Sequence, residues 1–569
     1  MTAQLFRRAI AKPLASLSNQ TEQKVLGILN TPKIALNHQF GIPVPKLASN
    51  TNPVTYCKEL ASKFEPNQYI EKVTPVGQFL QFDVRPDSYI RHTLNQVYDE
   101  KELYGTSKSQ QGTVLIDYSS PNIAKPFHAG HLRSTILGNF IKNIHDACGY
   151  KTVGINYLGD WGKQYGLLAI GFNLFGDEAK FKRDPIHHLY EVYVKINVLA
   201  KQDPTIDTQA NAYFKKMEQG DPEALSQWRK FREISIDTYK QIYKRLNIDF
   251  DLYSGESQTE KYIPQICDLL EKYNLMETTE DGARVINLEQ YKLGKVIIKR
   301  ADGTSLYMTR DLASLALRRD MFGQFKKAVY VIGTEQDLYL RQLFKISELI
   351  HQHDATWPTD LYHANFGRVM GMSTRKGTVI FLQDILDTAK DQMLTNIKAG
   401  NQVKMEQLES MDDVAEKLGS SAVIIQDMVA KRVKNYEFSW DRMTAAKGYT
   451  GVYLQYTYAR MCGIERNVDI SITKEADLSL LKEPQAFELA LTISQFPDIV
   501  QSSCKSMEPS ILVQYLFKLA HSIGQANSTL RVKGEHQSTA EARLLLFWAA
   551  KTTLGNGLKL VGINPLNRI

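Results

Sequence analysis

Cysteine is scarce in this chain, and the few cysteines stand far apart. The 569 residues include only five of them, and no two form a CxxC pair: Cys57, Cys148, Cys267, Cys462 and Cys504. A structural zinc site needs closely spaced thiolate and imidazole ligands, and a disulfide framework needs a dense set of cysteines. Both are therefore disfavoured, and the scattered thiols indicate an intracellular protein whose cysteines are reduced.

Long apolar runs and a strong excess of one charge are also missing. No stretch of about 18 uncharged apolar residues is present, so the sequence predicts no membrane span. The formal net charge is +7 over 569 residues, which supports a nucleic-acid partner only weakly. Hydrophobic residues make up 43% and charged residues 23%, as is ordinary for a soluble globular protein.

Acidic residues are absent from the first 21 positions, which hold Arg7, Arg8 and Lys12 ahead of Glu22. A mitochondrial transit peptide shares this composition. Leu5, Ala9 and Ile10 equally fit the opening helix of a folded unit. We therefore favour the cytoplasm, with the mitochondrial matrix or dual residence as the alternative.

The length predicts about 3 to 4 domains rather than one core. Residues 1–110 form a first unit with a strand at 79–84. In 111–405, apolar strands such as 328–332 alternate with helical stretches, the pattern of a parallel sheet with crossover helices, and a polar insertion occupies about 175–235. Helix formers dominate 406–569, with buried faces at 421–425 and 544–548. Internal repeats and low-complexity tracts are absent from the sequence.

A strand, a polar turn and a helix follow one another around two histidines. The β-branched run 113–118 precedes the turn, and His128 and His131 lie on one face of the first helical turn that follows. Unpaired backbone N–H groups and the positive end of a helix dipole attract phosphate there, and Gly130 allows close approach to the backbone. The corner therefore suits ATP, although surface or capping histidines, or a metal-binding pair, share the same spacing.

Residues 119–134, which read SSPNIAKPFHAGHLRS, resemble the HIGH motif of class I aminoacyl-tRNA synthetases, in the wording of the arginyl branch. The second landmark of that class, KMSKS, is matched by MSTRKG at 372–377, although Gly371 stands where the first lysine is expected. Further similarities follow in the family's order, at 156–162, 253–257, 302–311, 331–337 and 453–456. Together they cover nearly the whole chain and resemble eukaryotic, fungal-like arginyl-tRNA synthetases.

The resemblance implies an α/β fold: a Rossmann-type parallel-sheet catalytic core at 111–405, an α+β N-terminal domain at 1–110 that touches tRNA, and an all-helical anticodon-binding domain at 406–569. It also implies ATP-dependent ligation of L-arginine to tRNA(Arg) through arginyl-adenylate, releasing diphosphate and AMP. ATP with Mg²⁺ is a substrate, no tightly bound cofactor or protein metal site is expected, and we expect a monomer. Members generally need bound tRNA for the first step, and we expect the same here.

Roles for particular residues follow from the matched motifs. The catalytic group comprises His128, His131, Lys376 and Lys125, where Lys125 supplies charge that the departure at Gly371 removes. ATP is expected to contact His128, Gly130, His131, Met372, Ser373 and Lys376. Phosphoryl-type transfer depends mainly on positioning and preorganised positive charge, which these groups can provide. Without this context, the loop charges and Lys125 would be ordinary solvated side chains.

The arginine substrate carries a planar, permanently charged fork that needs carboxylates and an aromatic face. By resemblance, Glu256, Tyr307 and Asp311 meet the guanidinium, and Tyr307 and Asp311 are one helical turn apart. Asp311 alone would more simply be a helix cap. The remaining arginine-binding residues implied by the resemblance are Ser120, Asn122, His128 and Gln336.

Unstacked RNA bases are usually held by aromatic platforms, so Tyr453, Tyr456 and Tyr458 are candidates for anticodon contacts. Buried core tyrosines are the alternative. Val452 and Tyr458 replace a proline and a histidine of the family pattern, which affects the local backbone and these contacts.

Two other functions share parts of this pattern. Another HxGH nucleotidyl transferase would be a shorter chain without a long helical C-terminal part. A catalytically silent, synthetase-like RNA-binding protein would have no chemical need to keep His128, His131 and Lys376 together.

Overall fold

The structure is a computed structural model. It describes residues 2–29, 40–47, 52–107, 109, 111–123, 127, 129–301, 306–371, 381–399, 410–445 and 448–569, with only the backbone of residue 129. Within these ranges, no helix is long and apolar enough to cross a membrane. All five cysteines are free thiols.

The strands are numbered in chain order: β1 Phe40–Pro43, β2 Ile70–Val76, β3 Phe79–Val84, β4 Thr113–Asp117, β5 Lys151–Leu158, β6 Leu252–Gly255, β7 Glu277–Thr278, β8 Arg284–Asn287, β9 Lys295–Lys299, β10 Lys327–Tyr330, β11 Leu361–His363, β12 Val369–Met370 and β13 Tyr436–Glu437. The helices are α1 Thr2–Ser18, α2 Glu22–Ile28, α3 Pro53–Lys63, α4 Pro86–Glu100, α5 Ala129–Ala147, α6 Lys163–Phe175, α7 Glu178–Arg183, α8 Pro185–Gln202, α9 Thr205–Glu218, α10 Pro222–Arg245, α11 Ile263–Lys272, α12 Tyr307–Phe322, α13 Asp337–His351, α14 Leu382–Ala399, α15 Met411–Met428, α16 Trp440–Met443, α17 Gly451–Arg466, α18 Pro484–Ser494, α19 Phe496–Ser506, α20 Pro509–Thr529 and α21 Gln537–Leu560.

The N-terminal unit combines helices with a small antiparallel sheet of order β1-β3-β2. Alternate residues of β3, Leu80, Phe82 and Val84, point into its core, as a half-buried strand requires. Phe6 and Ile10 of α1 are buried one turn apart in the same core. The strand predicted at 79–84 and the opening helix predicted around Leu5 are both confirmed.

A five-stranded parallel sheet of order β11-β10-β4-β5-β6 forms the centre of the molecule. Successive residues of β4 point to opposite faces of the sheet. Val114 and Ile116 pack in the core that includes α5, whereas Leu115 packs in the core that includes α12 and α13. Burial on both faces explains the unbroken apolar run. The strands predicted at 113–118 and 328–332 are confirmed as β4 and β10.

From β4 the chain adds β5 and then β6 on one side of the sheet. It then crosses back and adds β10 and β11 on the other side of β4. The strand order therefore reverses between β4 and β10. In open α/β sheets, ligands bind beyond the carboxyl ends of the strands at such a switch point. The insertion predicted at about 175–235 is helical and falls within α6 to α10, and β7, β8 and β9 form a separate antiparallel sheet before β10.

Helices make up most of the described chain after β11. The predicted buried faces lie in α15 and α21, where Ala422, Ile425, Leu545 and Phe547 are almost fully covered. The N-terminal unit packs on this helical part: the hydroxyl groups of Tyr89 and Ser494 are 2.7 Å apart. The α/β class with an α+β N-terminal unit and a helical C-terminal part is confirmed.

Candidate active site

The turn that follows β4 has an unusual backbone conformation. Ser119 and Ser120 have φ angles of +69° and +47°, a region that residues other than glycine rarely occupy. Two neighbouring elements hold the turn, because Ser119 N donates to Ser134 Oγ of α5 at 2.9 Å and Ser120 N donates to Asn156 Oδ1 of β5 at 3.2 Å. The side chain of Ser120 is thereby fixed at the carboxyl edge of the sheet.

A cleft of about 550 Å³ opens at the switch point of the sheet. Four predicted site residues line it together: Ser120, Gly130, His131 and Gln336. Its other walls come from the segments after β10 and β11, residues 331–335 and 366–369. Helix α5 begins at Ala129, so its N-terminal turn and the positive end of its dipole lie beside this cleft. Such a corner can bind a phosphate chain.

Asn122 is placed by its contact with Gly159, with which it forms an isolated parallel bridge. A Cβ atom added at Gly159 would lie 2.0 Å from Asn122 Oδ1, so only glycine permits this approach. On the other side, Tyr239 donates its hydroxyl to the Asn122 carbonyl at 3.1 Å. The amide side chain of Asn122 is therefore held beyond the end of β5.

Two carboxylates, Glu256 after β6 and Asp311 in α12, form an acidic cluster. Burial raises the pKa of Glu256 to about 7, and the charge of Asp311 adds to the rise. Burial also raises the pKa of Asp311 to about 6, against the lowering effect of a hydrogen bond donated by Tyr339 and the charge of Arg318. Desolvated carboxylates of this kind favour a cationic ligand.

Asp117 connects the acidic cluster to the turn after β4. Ser120 Oγ donates to Asp117 Oδ1 at 2.9 Å, and Arg318 of α12 forms a buried ion pair with the other oxygen of the same carboxylate. Arg318 and Asp117 both contribute to the electrostatic field at Asp311. Ser120, Asp117 and Arg318 thus link the wall of the cleft to the surroundings of Asp311.

Comparison with known proteins agrees with this arrangement. The family model "tRNA synthetases class I (R), catalytic domain" matches residues 93–440, and the model of the DALR anticodon binding domain matches residues 454–569. The chain belongs to the class I tRNA synthetase (R) family. A probable cytoplasmic arginine–tRNA ligase of Dictyostelium discoideum is 44% identical over 99% of this chain and 100% of its own length.

Two further relatives extend the comparison. The mitochondrial arginine–tRNA ligase of Saccharomyces cerevisiae is 41% identical over 99% of this chain and 89% of its own length. The crystal structure of arginyl-tRNA synthetase from Plasmodium falciparum has a TM-score of 0.80, with 22% identity, 98% coverage of this chain and 99% of that chain. This structure shares the fold.

Within this class I synthetase, Tyr307 and Asp311 occupy successive turns of α12, as their spacing predicts. The cap position of α12 is Leu306, which makes no side-chain capping hydrogen bond, and Asp311 lies inside the helix, five residues further along. The helix-cap interpretation of Asp311 is therefore wrong. Tyr307 is 67% exposed, so its ring is not buried with the two carboxylates.

Several predicted site residues lie outside the described part of the chain: Lys125, His128, Met372, Ser373 and Lys376. Among the described residues, no group of three or more His, Cys, Asp or Glu side chains is placed to hold a metal ion. The tyrosines predicted to contact tRNA all lie on α17. Tyr456 is 41% exposed, whereas Tyr453 and Tyr458 pack partly against the core.

Sequence reasoning missed Tyr339, Asp117 and Arg318. The partner of Arg318 in the ion pair is 201 residues away in the sequence, and Tyr339 reaches Asp311 from the neighbouring helix α13. Of these three residues, only Asp117 could have been predicted from the sequence. It is an acidic residue at the carboxyl end of a buried strand, where parallel sheets bind their ligands.

Proposed function

We propose that this chain ligates L-arginine to tRNA(Arg) in two steps. The arginine carboxylate attacks the α-phosphorus of ATP, diphosphate leaves, and arginyl-adenylate forms. A ribose hydroxyl of the terminal tRNA adenosine then attacks the arginyl carbonyl, and AMP leaves. The observation that carries the proposal is the joining of a strand-turn-helix cleft to a pair of desolvated carboxylates through Ser120, Asp117 and Arg318.

ATP occupies the cleft at the switch point in this proposal. The first turn of α5, with Gly130 and His131, faces its phosphates. By family resemblance His128, Lys125 and Lys376 add positive charge during attack on phosphorus, and Met372 and Ser373 contact the nucleotide. Mg²⁺ arrives with ATP as part of that substrate.

Arginine places its guanidinium against Asp311 and Glu256, with Tyr307 at the entrance. A bidentate carboxylate–guanidinium contact is directional and strong once water is excluded. The burial that raises both carboxyl pKa values supports this assignment, because a permanent cation stabilises the ionised forms. The backbone end of arginine meets Asn122, His128, Ser120 and Gln336.

Transfer RNA binds along the helical part, and of the three candidate anticodon contacts, Tyr453, Tyr456 and Tyr458, the exposed Tyr456 is the one best placed to stack on a base. We retain the division into 1–110, 111–405 and 406–569 as the N-terminal tRNA-contacting, catalytic and anticodon-binding domains. We also propose that the chain is a monomer in the cytoplasm. Mitochondrial or dual residence is the alternative, because similar proteins are named for either compartment.

The decisive experiment is aminoacylation of total tRNA with each radiolabelled amino acid in turn, in the presence of ATP and Mg²⁺. We expect label from arginine alone to become acid-precipitable with tRNA. Binding of tRNA without any charging would identify a silent RNA-binding protein instead. ATP consumption that never requires tRNA or arginine would identify another nucleotidyl transferase.

A further inference from the structure

Arg133, in the second turn of α5, has a fully buried side chain that joins two distant segments. Its Nη1 atom donates to the carbonyl oxygen of Gly367 at 2.6 Å and to that of Lys434 at 2.9 Å. Gly367 lies on the wall of the ATP-sized cleft, and Arg133 lines the same cleft. One side chain thus connects the phosphate-facing helix with that wall.

The charge of Arg133 is balanced by Asp427 near the end of α15. Arg133 Nε lies 3.4 Å from Asp427 Oδ2, and the two side chains are 0% and 1% exposed. Tyr436 donates its hydroxyl to the same oxygen at 2.9 Å, and its ring centroid is 5.0 Å from the guanidinium carbon. A buried ion pair needs such additional contacts to offset the loss of hydration.

The segments that Arg133 joins are also paired with each other. Val369 and Met370 form a short parallel ladder with Tyr436 and Glu437, and Arg368 N donates to Asn435 Oδ1 at 2.7 Å. A Cβ atom added at Gly367 would lie 2.6 Å from the Lys434 carbonyl carbon. The two segments therefore pack at backbone contact, and Arg133 fixes both against the first turns of α5.

We propose that Arg133 and Asp427 are positioning residues for ATP: together they set the distance between the N-terminal turn of α5 and the cleft wall at 366–369. This proposal rests on the proposed function. In the proposed function, the guanidinium of arginine is held at the other end of the site, by Glu256 after β6 and by Asp311 on α12, which accepts a hydrogen bond from Tyr339 on α13. A change in the pair should therefore alter the use of ATP more than the use of arginine.

The test compares wild type with the double variant Arg133→Met/Asp427→Leu in ATP–diphosphate exchange with saturating tRNA(Arg). Replacing both partners leaves no unpaired buried charge, so we expect the variant to fold and to melt near the wild-type temperature. Methionine cannot donate to the two carbonyl oxygens, so kcat/KM for ATP should fall by about 10- to 100-fold. The KM for arginine should remain within about twofold of the wild-type value, since the arginine end of the site keeps its contacts.

The matched control is Arg543→Met/Glu483→Leu, which removes an ion pair within the helical part by the same chemical change. We expect unaltered KM values for both substrates in the control. If the Arg133 double variant folds and retains wild-type ATP kinetics, the pair serves the fold only and the proposal is overturned. If it does not fold, Tyr436→Phe takes its place, and an unchanged KM for ATP in that variant overturns the proposal. Absence of exchange in wild type would instead refute the proposed function.

Discussion

Glu256 and Asp311 are acidic residues in surroundings that disfavour their charges. In the free protein both hold protons at pH values where a solvated carboxyl group would be ionised, because burial outweighs their stabilising contacts. An arginine guanidinium reverses that balance, whereas a neutral side chain of similar length does not. Selectivity for arginine at the residue scale then follows from charge as well as from shape.

Replacing Asp311 with asparagine should impair the use of arginine specifically. Asparagine keeps the size of the side chain and can accept from Tyr339, but it removes the charge that meets the guanidinium. Loss of a hydrogen bond to a charged group costs about 2 kcal/mol, or roughly 30-fold in kcat/KM for arginine. Steady-state aminoacylation measures this effect. The control Asp99→Asn removes a surface ion pair with Lys474 and should leave the kinetics unchanged.

The pH dependence should follow the same carboxylates. Arginine binding requires their ionised forms, whose fraction falls as the pH drops through about 7 for Glu256 and about 6 for Asp311. We therefore expect the KM for arginine to rise as the pH is lowered from 7.5 to 5.5. Tyr339→Phe removes a donor that lowers the pKa of Asp311, so the rise in the KM for arginine should begin at a higher pH than in wild type. A rise that begins at the same pH, or at a lower one, would contradict the assignment.

At the scale of elements, the site depends on close approaches between a turn and a strand end. Asn122 lies against Gly159, at the point where β5 ends, and the serine turn lies against Ser134 and Asn156. These contacts hold the loop after β4 in one conformation at the carboxyl edge of the sheet. Loops of this kind carry function because regular elements hold them in place.

Gly159→Ala should displace Asn122 and lower arginylation activity by about 10- to 100-fold, because the added Cβ would fall 2.0 Å from Asn122 Oδ1. The change is measured as kcat/KM for arginine. A matched control is Gly524→Ala in α20, where the added Cβ meets nothing within 4 Å apart from the neighbouring backbone of its own helix. That helical substitution should keep full activity and raise the free energy of unfolding by up to about 1 kcal/mol. Equal activity of the two variants would refute the role of the Asn122–Gly159 contact.

At the scale of the whole molecule, local patterns predicted the elements, but not the contacts between them. The apolar run that became β4, the alternation in β3 and the helical spacing after His131 were all readable, because each element buries its own periodic face. The matched motifs predicted a common site for Ser120, His131 and Gln336, and these three residues line one cleft. Neither pattern predicted the Arg133–Asp427 pair or the Tyr89–Ser494 contact, since the partners are hundreds of residues apart and no local period records them.

The exposed face of α17 gives the last prediction, which concerns tRNA binding. Tyr456 projects from this helix with 41% of its surface exposed, whereas Tyr458 packs beside Gly555 of α21, where a Cβ atom would lie 2.9 Å from its ring. Stacking of a base on an aromatic ring is worth about 1–3 kcal/mol, so Tyr456→Ala should raise the KM for tRNA by roughly 10- to 100-fold without changing the melting temperature.

Tyr458→Ala should behave differently, because truncating a packed ring leaves a cavity and lowers the free energy of unfolding by about 3 kcal/mol. Thermal melting and tRNA titration of the two variants, measured side by side at fixed salt, separate these roles. With saturating tRNA, Tyr456→Ala should show wild-type KM values for ATP and arginine, because α17 contributes no residue to the cleft or the acidic cluster. A normal KM for tRNA in Tyr456→Ala would contradict the role of Tyr456 and would indicate that the anticodon contacts another surface of the helical part.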